Sequence, residues 1–496
     1  MKVYNPYIDK KIKIKRDTNI KSTEILFKAL KKRNEIQKKL GIKINHTNKL
    51  NRWYESMNRE NNISEVDRIE KDINLKITDI FIEDLIAIDK IDLAKNGLNK
   101  FLNKFHNHIW TNNDVLEDFV LDIKSNYKTG RWSNIGIAQF DDNHKLSKYI
   151  EYINLNLESF TSSLVRINIH INLKERYDEE LKSILDHEYE DVYSLINYKG
   201  YSRNIFKSIN VIESNGETYR REDVQNKLIY LKYMVLDELS KYVPLYFHSR
   251  RIIPPSIEFF EGKLVFGDSS RELNSYLEGL GINKYIGFKH GCSKDLKWEV
   301  YEEIFKTNFD SNSMKFIVDK EKIKERWNGD FLGDKQDISR YMFIPLILET
   351  ISKDIYNCLG HYKIQISKNI KEKFKYKHLF NIRYDIEKAS STLSNLIHEI
   401  SFTKLNKKKM KLETYFDFIE DKNIVNNLFR SSEKMLNELE KDIDLNRKLI
   451  DDTISLLSIK SNRKAQTITI VLTVITVLLT IATLVLTWIS INNTKI

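Results

Sequence analysis

Three side chains near the middle of the chain have the chemistry to bind an anion. His248, Arg250 and Arg251 stand in the run HSRRIIPPSIEFF, just before two prolines and a predicted strand. Paired guanidinium groups bind phosphate and carboxylate oxygens through parallel hydrogen bonds, so a loop that presents them suits an anionic ligand such as a nucleotide. A solvated surface turn carries the same residue types, and both interpretations stay open.

Other short motifs come close to catalytic signatures and lack a necessary residue. GKLVFGDS (262–269) has the glycine spacing of a phosphate-binding loop, but Asp268 replaces the essential lysine and would repel phosphate. His290 and Cys292 in KHGCS are two positions apart, which does not define a nucleophile and its base. The sequence therefore predicts no catalytic residue, metal site or cofactor and favours a non-enzymatic role.

Threonine recurs in the most apolar segment of the chain, TITIVLTVITVLLTIATLVLTWIS (467–490). No charged residue lies between Lys464 and Lys495, and about 20 apolar residues suffice to span a bilayer, so the segment is predicted to be a transmembrane helix. At about 100° per residue, six of its seven threonines fall within an arc of about 80°. These six form the threonine face: Thr469, Thr473, Thr476, Thr480, Thr483 and Thr487.

The threonine face has three interpretations. A threonine hydroxyl can bond to the carbonyl one turn back, so a solitary anchor would tolerate it. Small hydroxyl side chains also let helices approach closely and bond to one another, which predicts a homo-oligomer. In a ring of enough helices the same face would line a water-filled pore. The restriction of threonine to one side favours self-association over a solitary anchor.

Charged and aromatic residues flank the predicted membrane helix unequally. Lys460, Arg463 and Lys464 precede it, only Lys495 follows it, and Trp488 lies where an interfacial aromatic residue belongs. The positive-inside rule then predicts that residues 1–464 stay in the cytoplasm. We therefore expect a tail-anchored, single-pass protein of the cell membrane, with membrane lipid as a partner.

The positive charge of the chain is concentrated at its N-terminus. Residues 1–60 hold 17 Lys and Arg against 6 Asp and Glu, a surplus of +11 that equals the net charge of the whole chain. Such a region can meet anionic lipid headgroups or nucleic acid, although a solvated lysine-rich surface is the simpler explanation. No apolar signal-peptide core opens the sequence, and Cys292 and Cys358 are predicted to be free thiols in a reducing compartment.

The elements that would position these residues change along the chain. The segment ISEVDRIEKDINLKITDIFIEDLIAI (63–88) spaces apolar residues at three and four, as amphipathic helices do. LVRINIHINL (164–173) alternates strictly and predicts a half-buried strand, IEFFEGKLVFG (257–267) a hairpin, and MKFIVD (314–319) another strand. No Gly or Pro follows residue 360, which indicates helices to the end. The predicted fold class is α+β.

We divide the chain into five predicted segments: a basic helical region (1–125), a mainly antiparallel α+β domain (126–320), a helical region (321–425), a helical stalk (426–466) and the transmembrane helix (467–491). Within the stalk, residues 436, 439, 443, 446, 450, 453 and 457 follow a three–four spacing. This stalk seam predicts either a coiled coil or packing of the helix on its own domain.

The run NRKLIDDTISLLSIKSNRKAQTITIVLTVITVLL (446–479) resembles the stalk–membrane junction of CorA-type divalent-cation channels. In that family a cytosolic domain feeds a long helix, which enters the membrane as the pore-lining helix of a homo-oligomer. The family's Gly-Met-Asn signature and second span are absent from this chain, so the resemblance implies a layout and assigns no functional residue. Prokaryotic membrane effectors of phage defence resemble the same layout.

Three functions follow from these observations. The first is a membrane effector or sensor of phage defence or stress response, in which the α+β domain binds a ligand and the stalk transmits that state to self-associating membrane helices. The second is a membrane-tethered enzyme acting on nucleotides or nucleic acid. The third is a tail-anchored scaffold.

Overall fold

The computed structural model describes most of the chain beyond residue 74. The described residues are 32, 39, 75–105, 113–126, 132–186, 192–197, 209–214, 216–261, 285–289, 297–302, 313–318, 331–371, 376–403, 413–414 and 424–493. The chain divides into two compact units, Met1–Thr350 with Thr403–Phe429 and Ile351–Phe402 with Arg430–Ile496.

A mixed sheet forms the centre of the first unit. The strands in the described part of the chain are β1 Lys76–Ala87, β2 Trp132–Ala138, β3 Ile150–Ser159, β4 Leu164–Leu173, β5 Val192–Asn197, β6 Ile209–Ser214, β7 Ser256–Glu261, β8 Tyr285–Lys289, β9 Lys297–Glu302, β10 Ser313–Val318 and β11 Glu413–Thr414. The main sheet has the order β11-β8-β9-β10-β7-β1-β4-β3-β2, while β5 and β6 pair separately. Every neighbouring pair is antiparallel except β7 and β10, which confirms the predicted α+β class.

One face of the main sheet is covered by helices of the first unit. These are α1 Ile91–Lys104, α2 Asn113–Asn126, α3 Glu175–Leu185, α4 Gly216–Leu239 and the short α5 Tyr246–Ser249. Alternate residues of β1, including Ile80 and Ile82, join apolar side chains of α1–α4 in one hydrophobic core. The packing is close at Gly97, where a Cβ atom would lie 1.9 Å from the carbonyl oxygen of Tyr242.

Two sequence predictions about this sheet are wrong. Residues 76–87 form strand β1 instead of the second half of a helix, because β1 lies between β4 and β7 and is buried on both faces. A strand buried on both faces reads as a continuous apolar run, which also contains the three–four spacing of a helix. The prediction of a hairpin about Glu261 and Gly262 is also wrong for β7, because β1 and β10 pair with both of its edges. The predicted second arm, residues 263–267, lies outside the described residues.

Three long helices complete the described chain. Helix α6, Phe331–Lys371, begins in the first unit and continues into the second, which also contains α7, Tyr376–Thr403. Helix α8 runs without a break over Ile424–Asn493, which at 1.5 Å per residue is about 105 Å. The stalk seam on α8 is buried within the chain from residue 436 to residue 453. The structure therefore supports packing of the seam on its own unit, the second of the two alternatives.

Candidate functional site

Helix α8 contains the candidate membrane span. Its described part over Ser432–Thr483 is long and apolar enough to cross a membrane, with a mean hydropathy of 2.1 in its most apolar window. No residue of that window is buried by the rest of the chain. Lys460, Arg463 and Lys464 lie exposed on the turns before the apolar segment, where the sequence predicted the membrane anchors. For Thr487 and Trp488 the structure describes the helical backbone only.

Each described threonine of the span donates a hydrogen bond to its own helix. The Oγ1 atoms of Thr469, Thr473, Thr476, Thr480 and Thr483 lie 2.8–2.9 Å from the carbonyl oxygen four residues earlier. These bonds satisfy the hydroxyl donors in lipid without any partner helix. A hydroxyl oxygen retains acceptor capacity after donating, so the threonine face can still accept hydrogen bonds from a neighbouring helix.

The predicted anion site lies at α5, where its side chains already have partners. His248 Nε2 is 2.7 Å from an Asp237 carboxylate oxygen, and the Arg250 guanidinium lies over the Tyr246 ring at 5.4 Å. Arg251 is exposed and has a left-handed backbone, with φ of 59°. The fold thus keeps the three residues together but places a carboxylate beside His248, which weakens the attraction for an anion.

A buried carboxylate fixes the position of α5. Asp84 accepts backbone hydrogen bonds from Phe247 at 2.7 Å and from His248 at 3.1 Å. Burial raises the pKa of Asp84 to about 6, although these amide bonds oppose the rise. Because the bonds use N–H groups at the start of a helix that have no partner within it, Asp84 acts as a buried anchor for this turn.

The polar face of β4 gives the first unit a charged interior. Asp79 and His170, from neighbouring strands, are both buried, and the His170 Nε2 atom lies 2.7 Å from an Asp79 oxygen. Lys335 of α6 donates to Asp79 at 2.5 Å and to Glu261 at 3.2 Å. Asn172 donates to Asp79 at 3.0 Å. Burial alone would raise the pKa of Asp79, but the His170 hydrogen bond and the Lys335 charge hold it well below its usual value.

A second ion-pair group continues this face toward the other end of β4. Glu158 accepts hydrogen bonds from the guanidinium group of Arg166 and from the Nε atom of Arg340, the latter on α6 at 2.9 Å. Arg166 also pairs with the buried Glu83 at 3.3 Å and donates to the Arg340 carbonyl at 3.1 Å. Burial raises the pKa of Glu83 to about 8, although Arg166 opposes the rise.

The polar face is closed to solvent and contains several unsatisfied atoms. Glu83 Oε2, Asn154 Oδ1, Asn156 Oδ1 and His170 Nδ1 are buried without a hydrogen-bond partner among the described residues. Within the same part of the chain, no group of three His, Cys, Asp or Glu side chains could hold a metal ion. Asp79, Arg166 and Lys335 are almost fully buried, and the network connects the start of α6 to the sheet.

A basic groove of about 730 Å³ opens on the opposite side of the sheet from α6. Its walls are the loop before β3, the start of α3 and the middle of α4, and they include the groove residues Lys145, Lys148, Tyr149, Lys174, Arg176 and Tyr230. Hydrogen bonds from Lys148 and Lys227 outweigh burial and lower the pKa of the adjacent Glu180 to about 2. Asp142 also lines the groove, and Glu180 and Glu151 pair with three of the cations. Four cations with two aromatic rings still leave a positive surplus that suits a phosphate-bearing ligand of small-molecule size.

The sequence prediction missed both the charged interior and the groove. Strict alternation in LVRINIHINL identified the polar face, but the pattern does not predict that Lys335 and Arg340 cover that face. The groove cations are far apart in sequence and meet because the Lys174 amide bonds to the Tyr149 carbonyl at the end of the β3–β4 pair. Comparison of the chain with protein-family models and with curated proteins finds no match. Its function therefore has to be argued from these sites.

Proposed function

We propose that this chain is a tail-anchored membrane protein whose first unit binds a ligand in the cytoplasm and whose membrane helices self-associate as an effector. The observation that carries the proposal is the single helix α8. It passes without a break from a segment buried in the second unit into an exposed, uncharged span that has threonine on one side. Lys460, Arg463 and Lys464 support the cytoplasmic placement of the bulk of the chain.

Self-association explains the position of the threonines better than anchoring does. The bonds to the carbonyl one turn back explain how lipid tolerates threonine at any position around the helix. They do not explain why six threonines share one side. Close packing of small side chains and bonds to the remaining acceptor sites do explain it, because both need the threonines to face another helix. If enough helices assemble, the same face would line a channel.

The basic groove is the better candidate for the ligand-binding site of the first unit. It brings Lys145, Lys148, Lys174 and Arg176 around one space. Three of these cations pair with the carboxylates of Glu180 and Glu151, which leaves a positive surplus in the groove, whereas in the predicted site the single His248 pairs with Asp237. A nucleotide or another phosphorylated small molecule would place its phosphates on the cations and a ring against Tyr230.

A cysteine scan of residues 466–490 in native membranes tests self-association. Cys292 and Cys358 are first replaced by serine, and oxidative cross-linking is then measured at each position. We expect cross-linking to peak at Thr469, Thr473, Thr476, Thr480, Thr483 and Thr487, while Val471, Leu478 and Val485 serve as controls on the other face. Absence of cross-linking, or yields without helical period, would reduce the span to an anchor.

Conduction is tested separately from association. Replacing the threonines of the face by leucine keeps the span apolar enough to insert but removes its hydroxyl groups. We expect insertion to be retained and the toxicity or ion leak of the expressed protein to be lost. A leucine variant that keeps full activity would contradict the role of the threonine face.

The alternative is a membrane-tethered enzyme acting on nucleotides. The basic groove is the observation that favours it, because a phosphorylated substrate fits the same cations. Residues 1–425 would then retain their activity after release from the membrane, whereas an effector would lose its function on release.

A further inference from the structure

A row of large apolar side chains lies exposed on the aqueous part of α8. Leu445, Leu449, Leu456 and Ile459 are 61%, 39%, 67% and 52% exposed, and Asp452 completes their four–three–four–three spacing. On a helix the five positions span an arc of about 80°. Residue 445 lies about 33 Å along the helix from residue 467, so the membrane does not cover this row. An exposed apolar row of this kind indicates a protein partner.

This exposed row is distinct from the stalk seam. The stalk seam, which includes Ile443, Ile450 and Thr453, is already buried within the second unit. At about 100° per residue the two rows are centred about 130° apart around α8. Among the described residues, the second unit thus covers one apolar face of the helix and leaves the other exposed.

The exposed row continues into the membrane in an unbroken heptad register. Four heptads after Leu445 and Leu449 stand Thr473 and Val477. One row of the repeat contains residues 445, 452, 459, 466, 473, 480 and 487, and the other contains residues 449, 456, 463, 470, 477 and 484. Thr473, Thr480 and Thr487 belong to the first row, and the other threonines of the face flank the second row by one position. The threonine face itself has four–three–four–three–four spacing, which is the 3.5-residue period of a left-handed supercoil.

A straight helix would carry the threonine face onto a different surface of the stalk. Its straight continuation passes Asn462, Ser458 and Ser455 and reaches the side of Arg447 and Asp451. That side is occupied within the second unit, because Arg447 pairs with Glu387 of α7 at 2.9 Å and Asp451 with Arg383 at 3.1 Å. A left-handed supercoil drifts by about 20° per heptad and brings Thr473, Thr480 and Thr487 into line with Leu445 and Ile459 of the open row. Thr469, Thr476 and Thr483 then lie one position beside the second line of that row, in register with Ser455 and Asn462.

We propose that the exposed row and the threonine face form one continuous, parallel coiled-coil interface with a second copy of this chain, from Leu445 to Thr487. This inference rests on the proposed self-association and specifies its surface. The occupant has to follow α8 from water into lipid, so it is itself a membrane helix with an aqueous extension. It also has to present large apolar groups at the height of Leu456 and small ones at the height of Thr480. A second copy inserted in the same direction does both.

Two charged residues in the register limit the strength of this interface. Asp452 and Arg463 face their own counterparts in a parallel pair, and like charges at such positions oppose association. Association therefore depends on the leucines that precede Asp452 in the row and on the membrane span that follows Arg463. This arrangement suits an assembly that is controlled by another event, and it makes Asp452 a position where affinity can be raised.

Cross-linking of the full-length protein in native membranes tests the surface. With Cys292 and Cys358 replaced, single cysteines at 445, 449, 456 and 459 are compared with cysteines at 447, 451, 454 and 458, each of which lies within two residues of a member of the first set in height and on the opposite side of α8. We expect efficient cross-linking in the first set only. Cross-linking of the second set, or of neither set while the threonine positions cross-link, would overturn the continuous interface and leave the proposed function standing. Failure at every position, including the threonines, would refute both.

A gain of association provides a test that misfolding cannot imitate. Asp452→Leu removes the like-charge contact and adds an apolar side chain to the row, so the association constant should rise about tenfold. Ser458→Leu is the matched control, since it adds the same side chain on the straight continuation of the threonine face. The readout is the cross-linked fraction of Thr480→Cys. Equal effects of the two leucines, or no effect of Asp452→Leu, would contradict the supercoiled register.

Discussion

Replacing Lys335 by methionine tests whether the buried charged network fastens α6 to the sheet. The Lys335 ammonium lies 2.5 Å from Asp79 with both side chains 4% exposed, and it also reaches Glu261 at 3.2 Å. Methionine keeps the length of the side chain but leaves the Asp79 carboxylate buried with only His170 and Asn172 as partners. Breaking a buried ion pair from one side costs about 3–5 kcal/mol, because the remaining charge is uncompensated.

Lys124→Met is the matched control for this substitution. Lys124 pairs with Asp92 at the same distance of 2.5 Å, but the two side chains are 45% and 61% exposed. Pairs of this kind contribute about 0–1 kcal/mol, since water screens the charges and the side chains lose entropy when they are held. The two variants remove ion pairs of the same length that differ strongly in burial, and their expected effects differ by about 2–5 kcal/mol.

Native-state hydrogen exchange of the full-length protein in detergent is the appropriate assay. A chain of two units has no single free energy of unfolding, whereas exchange of β1 and β4 amides reports local stability. We expect Lys335→Met to lower protection in these strands strongly and Lys124→Met to leave it nearly unchanged. Adding Asp79→Asn to Lys335→Met should restore part of the protection, because the buried charge is removed with its partner. Equal protection in both lysine variants would refute the proposed role of the network.

Three further changes follow from other buried groups. The pKa of Glu83 is about 8 in the folded state and about 4.5 in the unfolded state. Because the folded state holds the proton more tightly, the stability that this group contributes is lost as pH rises between these two values. Glu83→Gln should therefore flatten this part of a pH–stability profile measured by thermal melting. Gly97→Ala should destabilise the first unit by about 1–3 kcal/mol, measured by hydrogen exchange of the α1 amides, because the new methyl group meets the Tyr242 carbonyl. Asp84→Ala should cost about 1–3 kcal/mol and expose the Phe247 amide to exchange, because that amide loses its acceptor.

The sequence predicted the fold class and three strands but misread how they are covered. LVRINIHINL was assigned correctly as a strand, and its alternation separated the core side from the polar side. The polar side was expected to face water, yet His170 is fully buried and Arg166 nearly so. Alternation indicates which residues share a face and carries no information about a helix that packs on that face from far along the sequence, such as the helix of Arg340, which is 174 residues from Arg166. Only the folded chain brings Lys335 to Asp79.

The prediction of a helix over the residues of β1 was wrong for a different physical reason. Its residues 76–87 are buried on both faces at the centre of the sheet, so alternation disappears and the remaining apolar pattern also fits a helix. The acidic residues Asp79, Glu83 and Asp84 made a polar helical face plausible. In the sheet each of them points into the interior and is matched by a partner from another element, such as Lys335, Arg166 or the backbone of α5.

Helix α8 has two apolar rows, and only the row that the second unit leaves exposed is accessible to another subunit. Both have the spacing of a coiled-coil seam, and the sequence singled out the row that contains Leu439 and Ile450. The second unit buries that row, so it cannot also bind another subunit in this fold. The row that contains Leu445 and Leu456 remains exposed in water and continues in heptad register onto Thr473 and Thr480. In a left-handed supercoil Thr473 and Thr480 share a heptad row with Leu445 and Ile459, so the partner helix that we propose would contact both the threonines and the exposed row.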